Sequence, residues 1–260
     1  MRYAKSFDGL TFSKAGQRVV IDESPRASAV ISSRNTASLY GSGIVPRSMT
    51  KISVAAKTSS TWATLLDDYG DWSGKLGVTG RLTVGDPDDT IERWCDATLS
   101  KLPFNQSAMD YRLWRSTMEF VQQSPTWNGT QQIKPFTLAS GTLNNRNLPN
   151  DGNVTVENAV ITVTAGTNNL VFFQITGDGI DIQYDGTVSA GNDLVIDCGA
   201  WSVTNDGVND YKNFSLGSGH THDQWLPILP DGGITVNFTR NGGGSTTELE
   251  INYYDGWRQA

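Results

Sequence analysis

His220-Thr-His222-Asp223 holds both histidines of the chain, in a stretch rich in Gly and Ser. Two imidazoles two residues apart on a strand share one face, and Asp223 is a candidate third ligand, so the chemistry on offer is metal binding. No fourth ligand at matching spacing and no partner to orient the rings stands out. The competing reading is a polar loop, and no metal is expected. Carboxylate pairs stand at Asp67-Asp68, Asp88-Asp89 and Asp178 with Asp181. Glycoside hydrolysis needs two carboxylates facing each other across a cleft, which adjacency in sequence does not supply. Asp88-Asp89 follows Pro87 and reads as a solvated turn. The Asp-, Asn- and Gly-rich turns lack EF-hand spacing. The chain contains no Gly-X-Ser-X-Gly, no glycine-rich phosphate loop and no Cys-X-X-Cys. The expectation is a protein without catalytic residues or cofactor.

Two residue sets point to binding instead. Exposed aromatics on a β-sandwich stack on sugars, and Trp201 and Trp225 are the candidate glycan contacts, with Tyr253, Tyr254 and Trp257 further along. Aromatics also fill sandwich cores and seal interfaces. The second set is cationic: residues 24–66 carry Arg26, Arg34, Arg47, Lys51 and Lys57 and no acid. They read either as a solvated face or as an assembly contact with complementary charge.

What must position these residues follows from length and punctuation. A chain of 260 residues suits two domains of ordinary size. Net charge is −7, and it is unevenly placed: residues 1–128 carry 15 Lys and Arg against 13 Asp and Glu, residues 129–260 only 5 against 14. So few cations in the second half argue against nucleic-acid binding through phosphates. No apolar run approaches the ~20 residues of a membrane helix, and the first residues lack a signal-peptide core. The reading is a soluble protein made in a cytoplasm, without membrane insertion. Cys95 and Cys198 sit in apolar, strand-like runs of different halves and are expected to be free and buried.

Strands are expected at 17–22, 49–57, 77–84 and 110–122. Trp62, Leu65, Leu66 and Tyr69, spaced as on one helix face after a Thr-Ser capping stretch, mark the one helix. Residues 90–102 fit either period, and a strand pairing antiparallel with 110–122 is preferred. The polar stretch 24–48 exceeds ordinary loop length. Pro125, Asn128-Gly129 and Pro135 read as a connection between domains, giving boundaries at 1–128, a linker at 129–135 and a second domain at 136–260. Beyond it, short strands at 154–156, 159–165, 170–176, 180–184, 193–198, 202–204, 234–239 and 248–253 alternate with Asp-Gly and Gly-Gly turns. That pattern predicts a mainly β chain whose second half is a β-sandwich of jelly-roll or galectin type.

The order of several motifs resembles the distal tail proteins of long-tailed phages across nearly the whole chain. In the first half these are Gly43-Ile-Val-Pro-Arg, the 62–69 helix, Gly77-Val-Thr-Gly-Arg-Leu-Thr, Arg93-Trp-Cys-Asp-Ala-Thr-Leu and a strand ending at Trp127. In the second they are Asn150-Asp-Gly-Asn-Val-Thr-Val, Gly191-Asn-Asp-Leu-Val-Ile-Asp, Trp225-Leu-Pro-Ile-Leu-Pro-Asp-Gly and Ile251-Asn-Tyr-Tyr-Asp-Gly-Trp. Pro230-Asp-Gly-Gly-Ile departs from the family's more usual Pro-Gly-x-Asn. The resemblance implies a tail-tube-like N-terminal belt domain with one helix and a galectin-like C-terminal sandwich. It implies a virion structural role at the tail tip: a homo-hexameric ring between tail tube protein and tail-tip hub protein, enclosing a channel through which DNA passes unbound. A basic wall would make DNA stick, so Arg26, Arg34 and Arg47 are expected at subunit interfaces rather than on the lumen. The alternative is a carbohydrate-binding module for host-surface adhesion; a cell-wall hydrolase is the weakest reading.

Overall fold

The computed structural model describes residues 3–11, 18–22, 49–57, 70–85, 92–103, 105–106, 113–123 and 126–258. The expected helix at 62–69 and the polar stretch 24–48 lie outside them. Two compact units divide the chain, Met1–Gly129 with Arg258–Ala260, and Thr130–Trp257.

The first unit is built from β1 (Tyr3–Phe7), β2 (Leu10–Thr11), β3 (Arg18–Asp22), β4 (Met49–Lys57), β5 (Thr79–Gly85), β6 (Glu92–Lys101), β7 (Asn105–Gln106) and β8 (Leu113–Gln122). Their antiparallel order is β3-β4-β8-β6-β5-β1-β2, with β7 added to β8. Residues 92–101 are a strand, as preferred: Arg93, Cys95, Ala97 and Leu99 point inward in strict alternation, and β6 pairs antiparallel with β8. Period two won because it lets the inward side pair across strands with buried residues, Cys95 opposite Leu82 of β5 and Leu99 opposite Phe120 of β8. Phe7 and Phe120 close that layer edge to face at 4.9 Å. On the outer side the Arg81 guanidinium lies 3.8 Å over the Trp94 ring.

The chain passes between units on β9 (Trp127–Thr137). The residues expected as a linker, 129–135, are therefore strand. Proline breaks a ladder only where its missing N–H is needed, and β9, registered to β6 at Trp94↔Asn128, accommodates Pro135 two residues before its end. The second unit continues with β10 (Thr142–Leu148), β11 (Val160–Thr164), β12 (Leu170–Gly177), β13 (Ile180–Tyr184), β14 (Asp193–Asp197), β15 (Ser202–Asn205), β16 (Val208–Asn209), a 3-10 turn Tyr211–Asn213, β17 (Phe214–Leu216), β18 (Ile234–Gly242) and β19 (Glu248–Trp257). Two sheets, β16-β15-β14-β11-β19-β9 and β10-β18-β12-β13-β17, form a β-sandwich. Between them lies one core that includes Ile161, Val163, Phe173, Ile175, Ile182, Ile196, Val236, Phe238 and Ile251. Burying each such side chain contributes about 1.5–3 kcal/mol before entropy is set against it.

Two hairpins obey the Asp-Gly rule: Asp178-Gly179 joins β12 to β13 and Asp206-Gly207 joins β15 to β16, all four residues with positive φ. The strand expected at 154–156 is instead a pair of single bridges, Val154↔Gly256 and Val156↔Ile228. Strand β10 was not foreseen, because Thr-Leu-Asn-Asn-Arg-Asn-Leu is polar. It lies at a sheet edge, pairs only with β18, and exposes most of its side chains.

Candidate functional site

Three of the motifs that carry the family resemblance meet at one buried corner of the second unit. Asn150 is fully buried and makes four hydrogen bonds. Its Nδ2 donates to the carbonyls of Val154 at 2.8 Å and Ile228 at 3.1 Å, and its Oδ1 accepts the N–H groups of Gly152 at 2.9 Å and Gly256 at 3.3 Å. One amide thereby ties together three segments that form no regular ladder with each other. Tyr253 Oη donates to the Pro149 carbonyl at 2.7 Å, and Asp255 accepts from Gln132 Nε2 at 3.1 Å and from the Asp151 N–H at 3.3 Å. Burial pushes the Asp255 carboxyl above the usual carboxylate range, against the pull of those two bonds. Backbone approaches so closely here that a methyl on Gly152 would stand 1.9 Å from the Gly256 carbonyl oxygen. The corner is a brace, with no open face at which a substrate could meet Asn150.

The histidine pair is spent in the same manner. His220 Nδ1 accepts the Asp181 N–H at 3.2 Å, which places its proton on Nε2, and Nε2 donates to the Gln224 carbonyl at 2.9 Å. His222 Nε2 donates to the Asp178 carbonyl at 2.9 Å. Both rings pin residues 217–224 to the β12–β13 hairpin. Asp178 Oδ2 accepts the Thr235 N–H, and Asp181 accepts Gln174, Gln183 and the Gly219 N–H. Burial works to raise the Asp181 carboxyl, but these hydrogen bonds outweigh it and hold the group below its usual range. Among the described residues no three His, Cys, Asp or Glu side chains gather as a metal set. The other acid pairs, Asp67-Asp68 and Asp88-Asp89, lie outside the described residues, as do Arg26, Arg34 and Arg47.

The aromatic candidates separate. Trp225 is 2 % exposed, whereas Trp201 is 52 % exposed. Trp225 is a buried hub: Phe214 stacks on it at 4.2 Å, Trp201 meets it edge to face at 5.2 Å, and Tyr211 lies at 5.9 Å. Tyr211 is itself 50 % exposed. Beneath the 3-10 turn that presents it, Asp210 accepts the Tyr184 O–H at 2.6 Å and Asn213 Nδ2 at 2.9 Å. The Tyr184 hydroxyl, more than any other group, holds the Asp210 carboxyl below its usual range. Trp201 occupies the left-handed region, with φ of 54°, in the β14–β15 turn. That conformation costs a bulky L-residue roughly 1–2 kcal/mol. Tyr211 and Phe214 escaped the sequence reading, although Asp206-Gly207 followed by spaced apolar residues was a usable hairpin signal.

Both cysteines are buried and free. Burial pushes the Cys198 thiol up to about 12 and raises the Cys95 thiol as well. Among the described residues no helix is long and apolar enough to cross a membrane.

The chain is mainly β and divides into two units, and in the second unit the marked motifs serve as braces. No protein-family model matches the sequence, and no curated protein sequence matches it. Among solved structures, the chain is similar to the Dit (gp 19.1) protein of SPP1, described as a paradigm of the hub adsorption apparatus in phages infecting Gram-positive bacteria. The TM-score is 0.61 at 10 % identity, over 98 % of this chain and 98 % of that one. It is also similar to chains of the phage p2 baseplate in its activated conformation. With Sr the TM-score is 0.42 at 8 % identity, over 97 % of this chain and 98 % of that one; with Ca it is 0.39 at 9 % identity, over 96 % of each. The structural neighbours are thus phage Dit and baseplate proteins, and the fold shared with SPP1 Dit runs through both units.

Proposed function

We propose that this protein is a virion structural component of a phage tail tip. Six copies form a ring that joins the tail tube protein to the tail-tip hub protein and encloses the channel for DNA ejection. The observation that carries this reading is the likeness to SPP1 Dit over 98 % of both chains, because it takes in both units in one order. Residues 1–128 are the belt that forms the ring, and 136–260 are the galectin-like sandwich attached to it. DNA passes without being held, which requires that the cations of the belt half, 15 Lys and Arg against 13 Asp and Glu, be turned away from the channel. No catalytic role is assigned. Of the three acid pairs marked in the sequence, Asp178 and Asp181 lie among the described residues, and both are committed to hydrogen bonds that hold a loop.

Arg26, Arg34 and Arg47 are placed at the contacts between neighbouring belts. Mass photometry of the purified protein tests both layers of the proposal. The unaltered chain should give a species at about six times 28.3 kDa. The triple reversal Arg26→Glu, Arg34→Glu, Arg47→Glu should shift it toward monomer; equal assembly by the variant would overturn the placement of these arginines.

A further inference from the structure

We propose that Trp201, flanked by Tyr211, is a saccharide-binding platform on the second unit, with Trp225 as its rigid support rather than a contact. This inference is independent of ring assembly.

Three features of the rim support it. The first is conformation: Trp201 has φ of 54° in a turn where glycine would be unstrained, and it is 52 % exposed. An indole kept in a disfavoured backbone state, with half its surface left in water, is not explained by packing. Such outliers collect where a side chain must be presented. The second is preorganisation. Trp201 leans edge-on against the buried Trp225 at 5.2 Å and 66°, while Asp197 Oδ1 accepts the Ala200 N–H at 2.8 Å and fixes the turn from below. Tyr211 is held against the same Trp225 ring at 5.9 Å. The two exposed rings are therefore at most about 11 Å apart, within reach of a short oligosaccharide.

The third is size and chemistry. An aromatic side chain offers about 150–250 Å² in all, so two half-exposed rings present roughly 200 Å² together. A stable protein interface takes about 800 Å² from each partner. The patch is too small for that, but it matches the apolar C–H face of a pyranose ring. Ser202 and Lys212, the exposed chain neighbours of Trp201 and Tyr211, carry a hydroxyl and an ammonium group, and Asn209, whose Oδ1 accepts the Tyr211 N–H at 3.1 Å, keeps its amide N–H groups.

The test uses the full chain labelled with ¹⁵N. Indole N–H resonances are followed while methyl glycosides of glucose, galactose and N-acetylglucosamine, and their β-linked oligomers, are titrated to tens of millimolar. The expected result is a saturable shift of the Trp201 indole with at least one sugar, and tighter binding of its oligomer. Trp201→Gly should weaken binding at least tenfold with the second unit still fully folded at the titration temperature, because relief of the positive φ offsets part of the lost contact with Trp225. Trp201→Phe should keep affinity within a few-fold. Absence of saturable binding across the panel would overturn the proposal. So would binding untouched by Trp201→Gly, or a fall in Tm that accounts for the loss.

Discussion

Replacing Asn150 with alanine removes four hydrogen bonds at once. The Ile228 carbonyl keeps a partner, since it also accepts the Val156 N–H at 2.9 Å. The N–H groups of Gly152 and Gly256 lose the acceptor they share. A buried donor left without a partner costs about 1–3 kcal/mol, so two of them and the small cavity come to about 4 kcal/mol. For a unit of this size each kcal/mol moves Tm by about 4 °C, so the expected fall is about 15 °C. Differential scanning calorimetry of the full chain reads it. Asn150→Asp is the sharper control. It keeps the shape and the acceptor oxygen but turns a second oxygen toward the Val154 and Ile228 carbonyls, so it should cost at least as much as alanine at neutral pH. A loss below about 1 kcal/mol for Asn150→Ala would refute the reasoning, because it would mean the corner finds other partners for those amides.

Five further outcomes are expected. Gly152→Ala should destabilise the second unit by more than 3 kcal/mol, because the new methyl meets the Gly256 carbonyl. Gly207→Ala, with φ of 75° but nothing within 4 Å, should cost about 1 kcal/mol, and urea titration of both glycine variants reads the difference. Asp210 titrates below its usual range in the folded chain, so the stability it contributes is full above the unfolded value and is lost as pH falls through the folded one. Asp210→Asn should therefore flatten the loss of stability on acidification, and an equally steep loss would remove Asp210 from that account. His220→Ala should speed amide hydrogen exchange in residues 217–224 and leave β14 and β19 unchanged, since the ring bonds only Asp181 and Gln224. Cys95 and Cys198 should resist alkylation at neutral pH until urea unfolds the chain, because thiolate is the reactive form and burial raises both thiols.

The sandwich was legible wherever local chemistry and tertiary packing agreed. Ile180–Tyr184 alternates cleanly and is bounded by turn residues, so period and punctuation gave the strand without knowledge of its partners. Strand β6 came out correctly because Cys95, Ala97 and Leu99 alternate, although a helical reading competed. What failed depended on partners. Pro135 and Asn128-Gly129 read as breakers, yet all three residues lie within β9. The polar β10 is a strand through its pairing with β18, not through propensity. Asn150-Asp-Gly looked like a hairpin turn, whereas the structure uses Asn150 as a buried clamp on residues 78 and 106 positions away. The candidate residues sorted by burial, which sequence does not encode directly: Trp201 and Trp225 read alike as tryptophans, and one is a surface ring and the other its foundation.

The central claim is an oligomeric adaptor, and imaging tests it most directly. Negative-stain class averages of the purified chain at high concentration should show rings of six subunits around a central hole. Particles of monomer size at every concentration, or closed assemblies without a hole, would contradict it.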